Sequence, residues 1–269
     1  GMGGTGSLIT AASTVATASN HTLYAAWTAN TYTVTFDAQG GSAASPATKV
    51  VTYDAAYGTL ATTSRTGYTF GGWWTGPGGT GTQVLDTTLV SITANQTLYA
   101  GWIANIYLLT FDAQGGSAAV PASKPVVFDT AYGPLATTSR TGYTFAGWYT
   151  EAGGAGTLIT AASMMTTASN HTLYAAWTAN SYTVSFDAQG GSAATPATKA
   201  VTFAAAYGAL ATTSRTGYTF AGWFTGTGGT GTLITAASTV ATAANHTLYA
   251  AWTANAYTVT FDAQGGSAA

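Results

Sequence analysis

The sequence predicts a mainly β protein, α+β at most, made of small tandem repeat domains that follow one another as a rod. Three observations carry this. One pattern returns every 75 residues without slippage. Each period is filled with short apolar/polar alternations bounded by Gly, Asn, Asp and Ser, the signature of strands and turns. No long window carries an apolar helical stripe with caps.

The period sets the organisation, and internal repeats take precedence over every other signal. Tyr32-Thr-Val-Thr-Phe-Asp-Ala-Gln-Gly-Gly returns, with substitutions, from Tyr107, Tyr182 and Tyr257. Trp27, Trp102, Trp177 and Trp252 keep the same step, as do Arg65, Arg140 and Arg215. Residues 106–180 and 181–255 differ at 19 of 75 positions. The reading is three full copies, 31–105, 106–180 and 181–255, preceded by the back part of a copy (1–30) and followed by the first strand of another (256–269). A unit phased from Gly76 to Thr150 fits the same arithmetic. Two opened repeats read as a slice of a longer array, and Gly1 before Met2 as a scar or the edge of an excised fragment. A period of 75 exceeds the roughly 20–45 residues of a solenoid coil. It suits a small domain, which buries only about 60% of its unfolded-chain surface.

Within one period, Tyr32, Val34 and Phe36 alternate with Thr33 and Thr35, which predicts a half-buried strand. Asp37-Ala-Gln-Gly-Gly-Ser ends it with turn residues. A second strand follows at Lys49–Tyr53, with Val51/Val126/Val201 and Tyr53/Phe128/Phe203 assigned to its inward face. Pro125 inside one copy places this strand on a sheet edge, because proline offers no ladder N–H. A third strand begins at Gly67-Tyr-Thr-Phe70 and ends near Trp73. Gly-Pro-Gly-Gly-Thr-Gly (76–81) is a turn, Leu233–Val240 is either a short strand or one helical turn, and Asn245–Trp252 is the last strand. Phe70, Phe145 and Phe220, with Trp73, Trp148 and Trp223, are the expected core. Only Thr28-Ala-Asn30 joins one period to the next, too few residues for a loose tether.

Composition excludes several functions. Charged residues are 5% of the chain, against about 25% in ordinary soluble domains. The net charge of −2 lacks the basic footprint of a nucleic-acid binder or a polybasic membrane-surface segment. There is no Cys, hence no disulfide, thiolate nucleophile or Cys-held metal. No apolar run reaches the length of a spanning helix, so no membrane insertion is expected. The first residues show no signal-peptide pattern.

Four blocks, Tyr-Thr-Val-Thr-Phe-Asp-Ala-x-Gly-Gly, Ala-Tyr-Gly-x-Leu, Arg-Thr-Gly-Tyr-Thr-Phe-x-Gly-Trp and Thr-Leu-Tyr-Ala-x-Trp, occur in order over the whole chain. In them the sequence resembles the Listeria–Bacteroides repeat, the repeat of internalin B and of many large bacterial surface proteins. The resemblance implies β-grasp-like (ubiquitin-like) domains strung on an exported protein, acting as stalk, spacer or adhesive segment without enzyme activity. It implies an extracellular place on the bacterial cell surface. The departure is charge: where such repeats carry Lys, Asp and Glu, this chain has Ala, Thr and Gly.

The candidate chemistry is thin, and no catalytic, cofactor or metal site is expected. His21, His171 and His246 precede the last strand, one per unit, and Gln96 replaces them in the first full repeat. Zinc needs about four convergent ligands, so a polar residue at a strand mouth is the reading. Asp37, Asp112, Asp187 and Asp262 follow the first strand, with Asp54, Asp86, Asp129 or Glu151 as scattered second acids. Residues 181–255 hold Asp187 alone, which refutes paired-carboxylate hydrolysis there. The expected role is an Asp cap on the Gln-Gly-Gly turn. Lys49, Lys124 and Lys199, and Arg65, Arg140 and Arg215, are expected to make ion pairs or to fork onto loop carbonyls. The sharper alternative for Lys49 is an isopeptide cross-link, with Asn30 and Asp37 as conceivable partners. Asn20, Asn95, Asn170 and Asn245 lie in Asn-x-Thr sequons but read as turn residues that start a strand. No phosphate loop and no Gly-x-Ser-x-Gly elbow is present.

Two function classes remain: a spacer or assembly module, and an adhesin for glycans or a host or cell-surface protein through exposed rings. Trp74, Tyr149 and Phe224 are the residues at issue. Neighbours on a strand face opposite ways, so with Trp73, Trp148 and Trp223 inward these three face outward, as an inter-repeat contact or a ligand platform. The expected partners are neighbouring repeats and further copies of the chain. Low charge leaves strand edges little protection, and the opened ends are expected to pair with the adjacent repeat or with another molecule. The result would be a stiff rod of about 90 Å.

Overall fold

The computed structural model describes residues 2–262 and 264–266. Its strands form three five-stranded sheets, and the helical content is four 3-10 turns of three residues each among the described residues. The first sheet contains β1 (Thr31–Asp37), β2 (Thr48–Thr52), β3 (Tyr68–Gly76), β4 (Thr80–Val84) and β5 (Gln96–Ala104), in the order β2-β1-β5-β3-β4. The second contains β6 (Ile106–Asp112), β7 (Ser123–Val127), β8 (Tyr143–Tyr149), β9 (Leu158–Ile159) and β10 (His171–Ala179), ordered β7-β6-β10-β8-β9. The third contains β11 (Ser181–Asp187), β12 (Thr198–Thr202), β13 (Tyr218–Phe224), β14 (Leu233–Ile234) and β15 (His246–Ala254), ordered β12-β11-β15-β13-β14. The mainly β expectation holds.

By contacts the chain divides into two compact units. One comprises Gly1–Tyr107, Val126–Thr130 and Met164–Ser169; the other comprises Leu108–Pro125, Ala131–Ser163 and Asn170–Ala269.

In the first unit β1 runs antiparallel to β2 and parallel to β5, with Val34 opposite Gln96 and Phe36 opposite Leu98. The alternation read from the sequence decides which face is buried. Val34, Phe36, Val51, Trp73, Val84, Leu98 and Ala100 close one core with Tyr57, Ala61 and Val90 from the loops, and Tyr32 packs at its margin. Each fully buried large side chain contributes about 1.5–3 kcal/mol. Trp73 is at the centre: its indole N–H donates to the Ala61 carbonyl at 2.8 Å, and its ring lies 4.7 Å from that of Phe36. The second unit repeats this core in full with Val184, Phe186, Val201, Tyr207, Ala211, Trp223, Ile234, Val240, Leu248 and Ala250. The edge position expected for the second strand is met at β2, β7 and β12. The ambiguous stretch 233–240 is a two-residue strand, a turn closed by Ser238 N–H to Thr235 O, and a buried Val240.

Three expectations need correction. Phe145 and Phe220 are 38% exposed and Phe70 is half-buried, so this position is not core. A β-bulge lies between Phe70 and the buried Trp73. Phe70 faces Trp102 and Trp73 faces Ala100, so Gly71 and Gly72 together oppose Gly101 alone, with Gly72 at φ +102°. The extra residue brings Phe70 and Trp73 to the same face, but Phe70 lies at the rim, edge-on to Trp73 and Trp102 at 5.5 and 5.4 Å. Second, Tyr53 is 41% exposed, and Phe128 and Phe203 lie beyond the ends of β7 and β12, where they serve another contact described below. Third, among the described residues the opened ends add no strand to the adjacent repeat. Residues 5–30 and 255–262 form no strand, and Trp27, Tyr257 and Phe261 are 92, 75 and 91% exposed. A β5-type strand is held between a β1 and a β3, and residues 5–30 contain neither. Of the 256–269 segment, residues 263 and 267–269 lie outside the described residues.

Candidate functional site

The polar side chains singled out by the sequence are spent on the loops of their own repeats. Asp37, Asp112, Asp187 and Asp262 each accept from the backbone N–H two residues on, at Gln39, Gln114, Gln189 and Gln264, all at 2.9 Å. These Gln residues have φ of +46 to +49°, so the carboxylate steadies a left-handed turn, as expected. Arg65, Arg140 and Arg215 donate from Nη1 to the carbonyls of the same Gln39, Gln114 and Gln189 at 3.2–3.3 Å. Each guanidinium also lies 3.9–4.0 Å over the ring of Tyr68, Tyr143 or Tyr218 three residues ahead. Lys49 Nζ donates to Thr59 O at 2.6 Å, Lys124 to Tyr132 O and Pro134 O, and Lys199 to Tyr207 O and Ala209 O. Carbonyl chelation by Lys and Arg is thus the outcome. The Lys49 amine sits on the Thr59 carbonyl, and Asp37 caps the Gln39 turn.

The histidines have a structural task that sequence alone does not show. Tyr57, Tyr132 and Tyr207 are buried to 4–5% exposure. Their hydroxyls meet Gln96 Oε1, His171 Nε2 and His246 Nε2 at 2.9, 2.8 and 2.7 Å. Burial pushes the phenols of Tyr57 and Tyr207 above their ordinary pKa. Gln replaces His because both present an acceptor at that point. The sequon Asn residues are structural as well. Asn95, Asn170 and Asn245 accept through Oδ1 from the backbone N–H of Thr33, Leu108 and Thr183 at 2.8–2.9 Å.

Trp74, Tyr149 and Phe224 lie next to the buried Trp73, Trp148 and Trp223 and are half-buried. The Trp74 indole N–H donates to Gly71 O at 3.2 Å and its ring abuts Gly79 and Gly101 of its own repeat. Where the ring is Tyr149 or Phe224, the residue matching Gly101 is Ala176 or Ala251.

The contacts that join one repeat to the next were not foreseen. In the first unit Asn105 is the single residue between β5 and β6. Its N–H donates to Gly67 O and its carbonyl accepts from Phe128 N–H, both at 2.9 Å, while its side chain takes the Thr69 hydroxyl at 2.6 Å. The Phe128 ring then covers Gly67, where any Cβ would collide with it, and meets the Tyr68 ring edge-on at 5.5 Å. The Tyr68 hydroxyl donates to Asp129 Oδ2 at 2.7 Å, and this hydrogen bond is the main cause of its raised pKa. In the second unit Asn180 bonds Gly142 O and Phe203 N–H at 2.9 Å, and Phe203 covers Gly142 and meets Tyr143 at 5.5 Å. The available signal was the Gly-Tyr pair after Arg-Thr, unchanged in all three repeats. Gly67 and Gly142 have φ +79°, which favours glycine, and their bare backbone admits the ring.

Among the described residues no group of three or more His, Asp or Glu side chains is placed to hold a metal, and no helix is long and apolar enough to cross a membrane. The arrangement defines a tandem array of small mixed sheets, joined by a repeated aromatic-on-glycine seam. The Listeria-Bacteroides repeat domain matches residues 32–101, 107–176 and 182–251, and the chain belongs to that family. Two proteins of Evansella cellulosilytica are similar to it. One, whose name describes a Gly-rich membrane protein, is 33% identical over 261 residues, covering 93% of this chain and 28% of that protein. The other, named as a membrane protein, is 35% identical over 182 residues, covering 64% and 24%. The chain thus spans about a quarter of the length of these relatives.

Proposed function

We propose that the chain is a non-enzymatic spacer, a stalk segment of a larger bacterial cell-surface protein, whose partners are neighbouring repeats and further copies of itself. The observation that carries this is the seam. The linker Asn is hydrogen-bonded on both sides, and a ring of the following repeat seats on a bare glycine of the preceding one, twice with the same residue types. On this reading the contacts at the linker restrain consecutive repeats more than a bare three-residue tether would. The order β2-β1-β5-β3-β4 with a parallel β1–β5 pair supports a β-grasp sheet whose usual helix is replaced by the loop between β2 and β3. The relatives' names as membrane proteins support an extracellular place near a membrane. The test is to pull the chain by its ends in a force spectrometer. Three unfolding events are expected, each releasing at most roughly 270 Å less the end-to-end length of the folded repeat, since an extended chain gives at most about 3.6 Å per residue and a repeat has 75 residues. Extension without discrete events would overturn the reading.

A further inference from the structure

Beside each seam a recess is left with a guanidinium in it. We propose that the recess holding Arg140 binds an acidic sugar unit of a polysaccharide, and that the recess at Arg65 is a weaker copy. The site goes beyond the spacer reading and would stand without it.

The Arg140 recess is an open, shallow groove of about 490 Å³. Arg140 is fixed by its Tyr143 stack and by one hydrogen bond to Gln114 O. Guanidinium carries five donors in a planar fork, so most of its donor capacity remains for a carboxylate or sulfate, which it takes bidentately. Being held already, it loses little freedom on binding. Ser117, Ser139 and Thr141 line the same recess; Ser117 Oγ accepts from Ser139 N–H at 3.0 Å and lies 3.3 Å from Ser139 Oγ, which fixes a polar rim suited to the hydroxyls of a sugar more than to a bare ion. Tyr143 and Phe203 supply aromatic walls, and Phe203 comes from the following repeat, so the site exists only where two repeats meet.

One natural variation grades the two seam copies. The recess at Arg65, about 500 Å³, has the same lining but adds Asp129, whose place is taken by Ala204 at the second seam. A carboxylate there opposes an incoming anion. In this 269-residue stretch Gly217 has open space where Phe203 covers Gly142, so Arg215 serves as the reference without the second wall.

The chain has three arginines, so their side-chain Nε–H signals in a nitrogen-15 spectrum report the three recesses separately. The full chain is titrated with an oligogalacturonate, a neutral oligogalactose of equal length, sodium sulfate and a polyglutamate peptide. The Arg140 signal is expected to move first with the oligogalacturonate, the Arg65 signal at about tenfold higher concentration, and the Arg215 signal last. Neutral sugar leaves all three in place, and sulfate and the peptide act at least about tenfold more weakly. Arg140→Gln lowers affinity at least about tenfold, the scale of a charge-assisted hydrogen bond. Because that change also loosens the Gln114 loop, Asp129→Ala is the second variant. It copies the residue native at 204 and is expected to bring Arg65 up to the affinity of Arg140. Equal response to neutral sugar, equal binding of sulfate or peptide, simultaneous movement of all three signals, or an Asp129→Ala chain that binds as before would each overturn the proposal.

Discussion

Trp223→Ala is expected to lower the melting temperature of the third repeat by about 15 °C or more. Trp223 is 2% exposed, donates its indole N–H to Ala211 O at 2.8 Å, and stacks against Phe186 and Phe220 at 4.8 and 5.5 Å. Truncating a buried Trp costs about 3–5 kcal/mol. At about 0.05–0.15 kcal/mol per residue, a domain of this size holds only ~4–11 kcal/mol in all. Each kcal/mol moves such a domain by about 4–8 °C. Phe220→Ala makes the comparison: at 38% exposure it gives up less area and should cost ~1–2 kcal/mol. Scanning calorimetry of both variants checks the order. A Trp223→Ala chain melting within a few degrees of the parent would show that the indole is not in the core.

Gly142→Ala is expected to destabilise by about 1–2 kcal/mol more than Gly217→Ala. The two glycines share their backbone, φ +79° and +78°, so the strain of an alanine there, about 1–2 kcal/mol, is common to both. At Gly217 a Cβ meets open space, whereas at Gly142 it runs into the Phe203 ring. The difference therefore isolates the seam. Thermal unfolding of the two variants, with the Phe203 ring resonances as local reporter, measures it. Equal costs would mean that Phe203 does not rest on Gly142 in solution.

Much of the fold was legible because the period is exact in length and each strand alternates. Val34 and Phe36 inward, Val51 on an edge strand, Trp73 in the core and Asp37 on its turn all follow from local pattern and turn chemistry. What was not legible depends on where strands change register or meet another repeat. The bulge at Gly71-Gly72 sets Phe70 on the same face as Trp73, but its place at the rim of the core, where Phe145 and Phe220 are 38% exposed, depends on packing that no alternation records. Phe128 and Phe203 look like the next inward residues of their strands, but those strands have already ended, and their rings serve the preceding repeat. The Tyr57, Tyr132 and Tyr207 hydroxyls reach their partners 39 residues away, so spacing alone carries no trace of the pairing. The seam was hidden for the same reason: Gly67 reads as a turn residue until the ring that covers it is placed.

The account rests on the claim that consecutive repeats are locked at the linker Asn. Backbone nitrogen-15 relaxation at Asn105, Phe128, Asn180 and Phe203 tests it most directly. Order parameters near 0.85, equal to those of the strands, are predicted at all four amides. Values below about 0.6 at Asn105 and Asn180 would mean that the linkers move freely and would contradict it.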